Sequence, residues 1–181
     1  PVDSTSIVLL GTSLTHNFEI QETSAAPIKN RGINGDNISG MRNRLNAISK
    51  GTPRKIIIEA GINDIADLKL ENLAIVKQYQ SLIENIKKDT PSTTILMTSV
   101  FPVANESAQM PGYCSPETNT QINDLNKRLS SMADSMHVTF LNFHSDFLKN
   151  GELNPKFSMD GVHFSANGYL KWHELLKSHL D

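Results

Sequence analysis

The sequence predicts an α/β fold, a three-layer α/β/α sandwich with a central parallel sheet. Three observations predict it. Short, β-rich, almost wholly apolar runs recur along the chain, at Ser6–Leu10, Ile56–Ile58 and Thr94–Val100. Segments with apolar residues at helical spacing alternate with them, most clearly over Leu70–Lys88. The chain has 181 residues, which suits one domain spanning 1–181 with one sizeable core. Runs that are apolar throughout mark strands buried on both faces. Strands that alternate with helices fold as right-handed crossovers, which cover a parallel sheet on both sides.

The elements follow in order. Ser6–Leu10 ends at Gly11, and Gly11-Thr12-Ser13 turns sharply off it. Leu14–Ile20 reads as no more than a helical turn. Lys29–Asn37 reads as a glycine-punctuated loop, with Asp36 or Asn37 capping a helix through Met41, Leu45 and Ile48. Gly51-Thr52-Pro53 ends that helix. Ile56–Ile58 leads into Glu59-Ala60-Gly61-Ile62-Asn63-Asp64. In the helix over Leu70–Lys88, Leu73, Val76, Tyr79, Leu82, Ile83 and Ile86 share one face. Thr94–Val100 is a strand bounded by Pro91 and Pro102. Phe101–Glu117 lacks periodicity, and a loop of that length in a compact domain usually walls or covers a site. Thr118 caps a helix carrying Ile122, Leu125, Leu129 and Met132 or Ala133. Val138–Phe143 is a further strand, and Ser165 caps a last helix with Tyr169, Trp172, Leu176 and Leu180 inward.

Composition excludes several classes. The formal net charge is -2 and the cations form no run, so no nucleic-acid footprint is present. No apolar stretch reaches membrane-spanning length. A single cysteine, Cys114, leaves no internal disulfide and no cysteine-based zinc site; it reads as an unreactive thiol in the long loop. His137, His144, His173 and His179 show no metal spacing, and His16 is expected to face solvent. The chain starts at Pro1 without methionine, which a removed signal peptide or an engineered end explains equally.

The chemistry centres on Asp160-Gly161-Val162-His163 and on Ser13. A carboxylate three residues before a histidine can turn back and accept its Nδ1 proton. That leaves Nε2 as a base for a hydroxyl delivered by another strand end, the arrangement that acyl transfer needs. In a parallel α/β sheet ligands sit beyond the C-terminal strand ends. The Ser13 turn, the Gly35 loop and the Gly61–Asp64 stretch all follow strands or lie near strand ends, so one sheet edge is expected to carry all three.

Four stretches together resemble the SGNH hydrolases, or GDSL esterase/lipase family. They are Gly11-Thr12-Ser13-Leu14, Asn30-Arg31-Gly32-Ile33-Asn34-Gly35-Asp36, Gly61-Ile62-Asn63-Asp64, and Asp160-Gly161-Val162-His163 followed by Asn167-Gly168-Tyr169. The resemblance implies a flavodoxin-like SGNH hydrolase fold. It implies Ser13 as nucleophile, His163 as general base and Asp160 as the group that orients His163. It implies an oxyanion hole from the N–H groups of Ser13 and Gly35 and the amide of Asn63. Thr12 departs from the family's block, which usually has Asp before the serine, so the bonding that holds the serine turn must differ. Gly35 is preferred over Gly32 because Gly35-Asp36 matches the block's register. Asn63 has an alternative as a helix cap, a role that Asp64 suits better, and Gly61 serves backbone geometry.

The expected activity is a serine esterase removing short acyl groups, acetyl above all, from a carbohydrate or similar polar alcohol. A lysophospholipase or thioesterase is the alternative within that chemistry, with Val103, Met110 and Tyr113 covering a lipid chain. A non-catalytic sugar- or anion-binding module is the alternative from another class, against which the intact Ser13, Asp160 and His163 set argues. No metal or organic cofactor is implied, and an exported bacterial protein is expected.

Overall fold

The computed structural model describes residues 1–20 and 27–180. Its centre is a five-stranded, all-parallel sheet built from β1 (Ile7–Gly11), β2 (Ile28–Gly32), β3 (Lys55–Glu59), β4 (Thr94–Thr98) and β5 (Thr139–Leu141). The spatial order is β2-β1-β3-β4-β5. The chain therefore leaves β1 in one direction, crosses back over it, and then proceeds the other way.

Helices fill the crossovers: α1 (Ser13–His16), α2 (Ile38–Asn43), α3 (Asn46–Ser49), α4 (Ile62–Ala66), α5 (Asn72–Asp89) and α6 (Pro116–Ser135), and α7 (Ala166–Leu176) follows the last strand of the sheet. Strand alternation sorts them into two layers. Val8, Leu10, Ile56, Ile58, Ile95 and Met97 point to the face covered by α2 to α6. Ile7, Leu9, Ile57 and Leu96 point to the face holding Leu14, Phe18, Trp172 and Leu176 of the α1 and α7 regions. Reversal of direction at β1 puts α1 opposite the other crossovers, because every crossover keeps the same hand. The second layer is aromatic: Phe101 packs edge-on to Phe147, Phe164 and Trp172, with centroids 4.9–5.3 Å apart.

Several details depart from the sequence reading. The stretch read as a loop from Lys29 begins with a strand, β2, paired with β1 from Ile7↔Ile28 to Gly11↔Gly32. It is an edge strand with only Ile28 buried, so it lacks the apolar run that betrays the others. Asn37 caps α2, accepting from the Gly40 N–H at 3.0 Å, but the helix breaks at Arg44 and resumes as α3. In α5 the buried face is Ile75, Tyr79, Leu82, Ile83 and Ile86, whereas Leu73 is 62% exposed. Helix α6 starts earlier than Thr118: Ser115 is the cap, accepting from the Thr118 N–H at 3.1 Å, and Pro116 follows in the first turn. Ser165 caps α7, accepting from the Gly168 N–H at 3.4 Å.

The connection from β4 to α6 passes beyond the C-terminal edge of the sheet. It is held by Asn119, which accepts from the Val103 N–H and donates to the Val103 carbonyl. A two-stranded hairpin, β6 (Leu148–Lys149) and β7 (Glu152–Leu153), braces it further through Leu153 N–H to the Val103 carbonyl. The turn is Asn150-Gly151, both at positive φ, the pair that a tight hairpin favours.

Candidate active site

The crossing at β1 sets the site. Gly11 ends the strand, Thr12 is extended, and Ser13 opens α1. From the far end of the chain, the loop ahead of α7 brings in His163. Ser13 Oγ lies 3.0 Å from His163 Nε2, and His163 Nδ1 lies 2.6 Å from Asp160 Oδ2. The three residues that spacing linked are thus in hydrogen-bonding sequence, although Ser13 and His163 are 150 positions apart.

The Asp160 loop is built to hold that carboxylate. Its Oδ1 accepts the N–H groups of Val162 and His163 at 2.9 and 2.7 Å, leaving Oδ2 for the imidazole. Burial works against the charge on Asp160. The hydrogen bonds from His163 and the Val162 N–H outweigh it, so its pKa is lowered. Gly161 sits at φ +97°, and a Cβ there would lie 2.8 Å from Cys114 Sγ and 3.0 Å from Ser107 Cβ. Ser107 Oγ donates to the Asp160 carbonyl and Ala104 N–H to that of Gly161, which fixes the long loop against the acid. Cys114 is buried behind this loop, with its thiol pKa raised by burial.

Ser13, Gly35, Asn63 and His163 line one cleft of about 430 Å³. Gly35 is at φ +72° with open space where a Cβ would point, so the backbone conformation by itself favours glycine there. Gly32 serves differently: a Cβ would lie 2.1 Å from the His16 backbone N, so it lets α1 pack on β2. Asn63, 4% exposed, donates through Nδ2 to the Asp36 carbonyl at 2.7 Å. The second hydrogen of that amide has no partner among the described residues. Asn17 and Asn34 add two further amides to the wall, and Met110, Met159 and Val162 supply its apolar part.

Glu59 was given no role from sequence, and Tyr113 and Asp64 take places other than those expected of them. Tyr113 lines the cleft from the long loop, with its hydroxyl 2.5 Å from Asp67 Oδ2 and 3.2 Å from Asn63 Oδ1. Burial raises its pKa, and Asp67 raises it further. Glu59, buried beneath the Ser13 turn, accepts from the Thr12 N–H at 3.0 Å and from the hydroxyls of Thr12 and Thr15 at 2.9 and 3.0 Å. A single carboxylate closing the apolar run Ile56–Ile58 was the signal that could have found it. Asp64 is wholly buried; it braces α2 by accepting from the Ile38 N–H at 3.3 Å instead of capping its own helix through a side-chain bond. Val103 lies in the core, not in the cleft, and His16 is exposed with its Nδ1 3.2 Å from the Gly32 carbonyl. Among the described residues, no cluster of three or more His, Cys, Asp or Glu is placed to hold a metal ion, and no helix is long and apolar enough to cross a membrane.

The model of the GDSL-like Lipase/Acylhydrolase family matches residues 9–171. Among solved structures, a Streptococcus pneumonia protein provisionally named a platelet activating factor superposes with a TM-score of 0.88. It is 26% identical, and the match covers 99% of this chain and 85% of that one. A GDSL-like lipase from Bacteroides thetaiotaomicron superposes at 0.83 with 22% identity, over 98% of this chain and 88% of that one. An acetyl xylan esterase superposes at 0.81 with 17% identity, over 97% and 100%; at such identities the likeness is one of fold. Among curated proteins, an N-acylneuraminate cytidylyltransferase of Escherichia coli is 29% identical over 174 residues. That match covers 92% of this chain, which spans only 38% of the length of that relative.

Proposed function

Within the GDSL-like lipase/acylhydrolase family, to which this chain belongs as an ester hydrolase, we propose that it removes short acyl groups, acetyl above all, from a carbohydrate or similar polar alcohol. The observation that carries the reading is the 3.0 Å contact between Ser13 Oγ and His163 Nε2, backed by the 2.6 Å contact to Asp160.

In this reading Ser13 Oγ attacks the acyl carbonyl while its proton passes to His163 Nε2. Asp160 keeps the imidazole in the tautomer with Nδ1 protonated and stabilises the imidazolium that forms. The negative charge on the carbonyl oxygen is met by the N–H groups of Ser13 and Gly35 and by the Asn63 amide. Collapse of that intermediate expels the alcohol, which takes its proton from His163, and leaves the acyl group on Ser13. Water then repeats the sequence, giving the acid and free Ser13.

The polar half of the substrate is inferred from the walls. Asn17 and Asn34 offer amide donors and acceptors, the groups that pair with sugar hydroxyls. The name of the E. coli relative adds support, since it couples a segment similar to this chain with chemistry on an acylated sugar. A longer acyl chain is the second reading. It is favoured by an apolar groove of about 530 Å³ that shares Asn17 and Met159 with the cleft and continues along Phe164, Tyr169 and Leu170.

Hydrolysis of p-nitrophenyl esters from acetyl to palmitoyl, by wild type and Ser13→Ala, tests both. The acetyl reading expects activity that falls with chain length and is lost in Ser13→Ala. Activity that rises with length selects the second reading, and equal rates in the two proteins dismiss both. A panel of acetylated sugars, including an O-acetylated N-acylneuraminate, then resolves the alcohol.

A further inference from the structure

We infer that Glu59 is a positioning residue for the nucleophile, supplying from the neighbouring strand the carboxylate that the position before the serine does not provide in this chain. The inference rests on the reading of Ser13 as nucleophile and deepens it.

Strand register places Glu59 there. In the parallel pair β1–β3, Gly11 lies opposite Glu59, the last residue of its strand. From that position the side chain reaches the residues on either side of Ser13. Glu59 Oε2 receives three donors: the Thr12 N–H at 3.0 Å, the Thr12 hydroxyl at 2.9 Å and the Thr15 hydroxyl at 3.0 Å. Thr12 and Thr15 are themselves 0% and 1% exposed, so no water competes for these bonds. The room for them exists only because residue 11 is glycine. A Cβ there would come within 1.9 Å of Thr15 Oγ1 and 2.9 Å of Glu59 Oε2.

The consequence is geometric. The peptide that carries the Ser13 N–H begins at Thr12, and Thr12 is held at its N–H and at its hydroxyl by one buried carboxylate. Thr15 is held from the other side. Ser13 therefore has little freedom to tilt, and both its Oγ and its N–H stay aimed at the cleft. A helix of four residues has no length from which to draw that rigidity. Stability of the turn alone does not require all three donors on one buried oxygen; a charge so placed is costly, and burial raises its pKa against those hydrogen bonds.

The test separates aim from folding. A fluorophosphonate probe labels an activated serine, so its end point counts folded sites and its rate constant reports how well Ser13 is poised. Glu59→Leu removes the accepting oxygens, while Glu59→Gln keeps one. The expected result is full end-point labelling of Glu59→Leu with a rate lowered by roughly 10²-fold, the cost of a displacement of about 1 Å. The kcat for p-nitrophenyl acetate should fall in parallel with little change in KM. Glu59→Gln should recover to within about three-fold of wild type, since one oxygen still accepts. A wild-type rate in Glu59→Leu, or a Glu59→Gln as slow as Glu59→Leu, overturns the inference. Where Glu59→Leu does not fold, Thr12→Asp decides. Alone it faces Glu59 with a second carboxylate and should lose roughly ten-fold, and Glu59→Gln in the same chain should restore it. An unaffected Thr12→Asp, or the same loss in both backgrounds, overturns the inference. A wild type that is never labelled on Ser13 instead removes the catalytic reading on which the inference stands.

Discussion

Asp160 uses its two oxygens for different tasks: Oδ1 binds the N–H of His163, and Oδ2 binds the Nδ1 of the same residue's ring. One side chain thus fixes both the backbone and the imidazole of His163. The division makes a clean substitution possible. Asp160→Asn can keep the Oδ1 bonds that shape the loop, but it presents an amide N–H where the imidazole N–H must be received. The ring is then driven to the wrong tautomer. We expect kcat to fall by roughly 10⁴-fold with the melting temperature nearly unchanged, measured by ester hydrolysis and calorimetry.

Asn63 is tied to the Asp36 carbonyl through one amide hydrogen, which aims the other without spending it. Asn63→Ala should lower kcat by about 10²–10³-fold and leave KM for a small ester nearly constant, because the lost bond strengthens only as charge develops. A loss confined to KM would place Asn63 in ground-state binding instead.

The two glycines of the β2 loop should respond differently to alanine. At Gly35 there is space but φ is +72°, so Gly35→Ala is strained by about 1–2 kcal/mol and shifts the local N–H without disturbing the core. At Gly32 the added carbon meets the His16 backbone at 2.1 Å. Gly32→Ala should therefore displace α1 and with it Ser13, costing both stability and fluorophosphonate labelling. Chemical denaturation and labelling of the pair separate the two causes.

Asp64 makes the fold sensitive to pH. Burial, with smaller contributions from Asp36 and Glu59, pushes its pKa up to about 6 from 3.8, while the Ile38 N–H opposes the shift. An acid that stays protonated to higher pH when folded stabilises the fold fully below its unfolded pKa, and that contribution is lost as pH rises through about 6. The full span corresponds to something on the order of 3 kcal/mol. Asp64→Asn can still accept from the Ile38 N–H, so its unfolding free energy should show a flatter slope between pH 4 and 7 than wild type. Equal slopes in urea titrations of the two proteins would show that the Asp64 pKa is the same in the folded and unfolded chain.

How much was legible follows from where each signal resides. Strands buried on both faces announce themselves as apolar runs, so β1, β3 and β4 stand out in the sequence. The edge strand β2, with Ile28 as its only buried residue, carries no such mark and passes for a loop. Period gave α5 but not its exact face, because Leu73 lies in the first turn, beyond the reach of the neighbouring helices. Ser13, Asp160 and His163 were legible because their spacing and order match a family pattern. Glu59 was not, since it acts across a tertiary contact set by strand register; Tyr113 was legible as a wall of the site, but its bonds to Asp67 and Asn63 were not, because they span a long loop with no period.

The sequence by itself determined the class of fold and the candidates for the site. Residue types, helical and strand periods, and the order of four short blocks are local properties, and each can be read without knowing what touches what. Tertiary structure alone decided which groups meet. It set the 3.0 Å reach between the first turn and the last loop, the carboxylate beneath Thr12 and the two distinct duties of Gly32 and Gly35. The physical reason is that a hydrogen bond or a steric limit depends on distances of a few ångströms, and only packing of the complete chain brings residues 150 positions apart to that range.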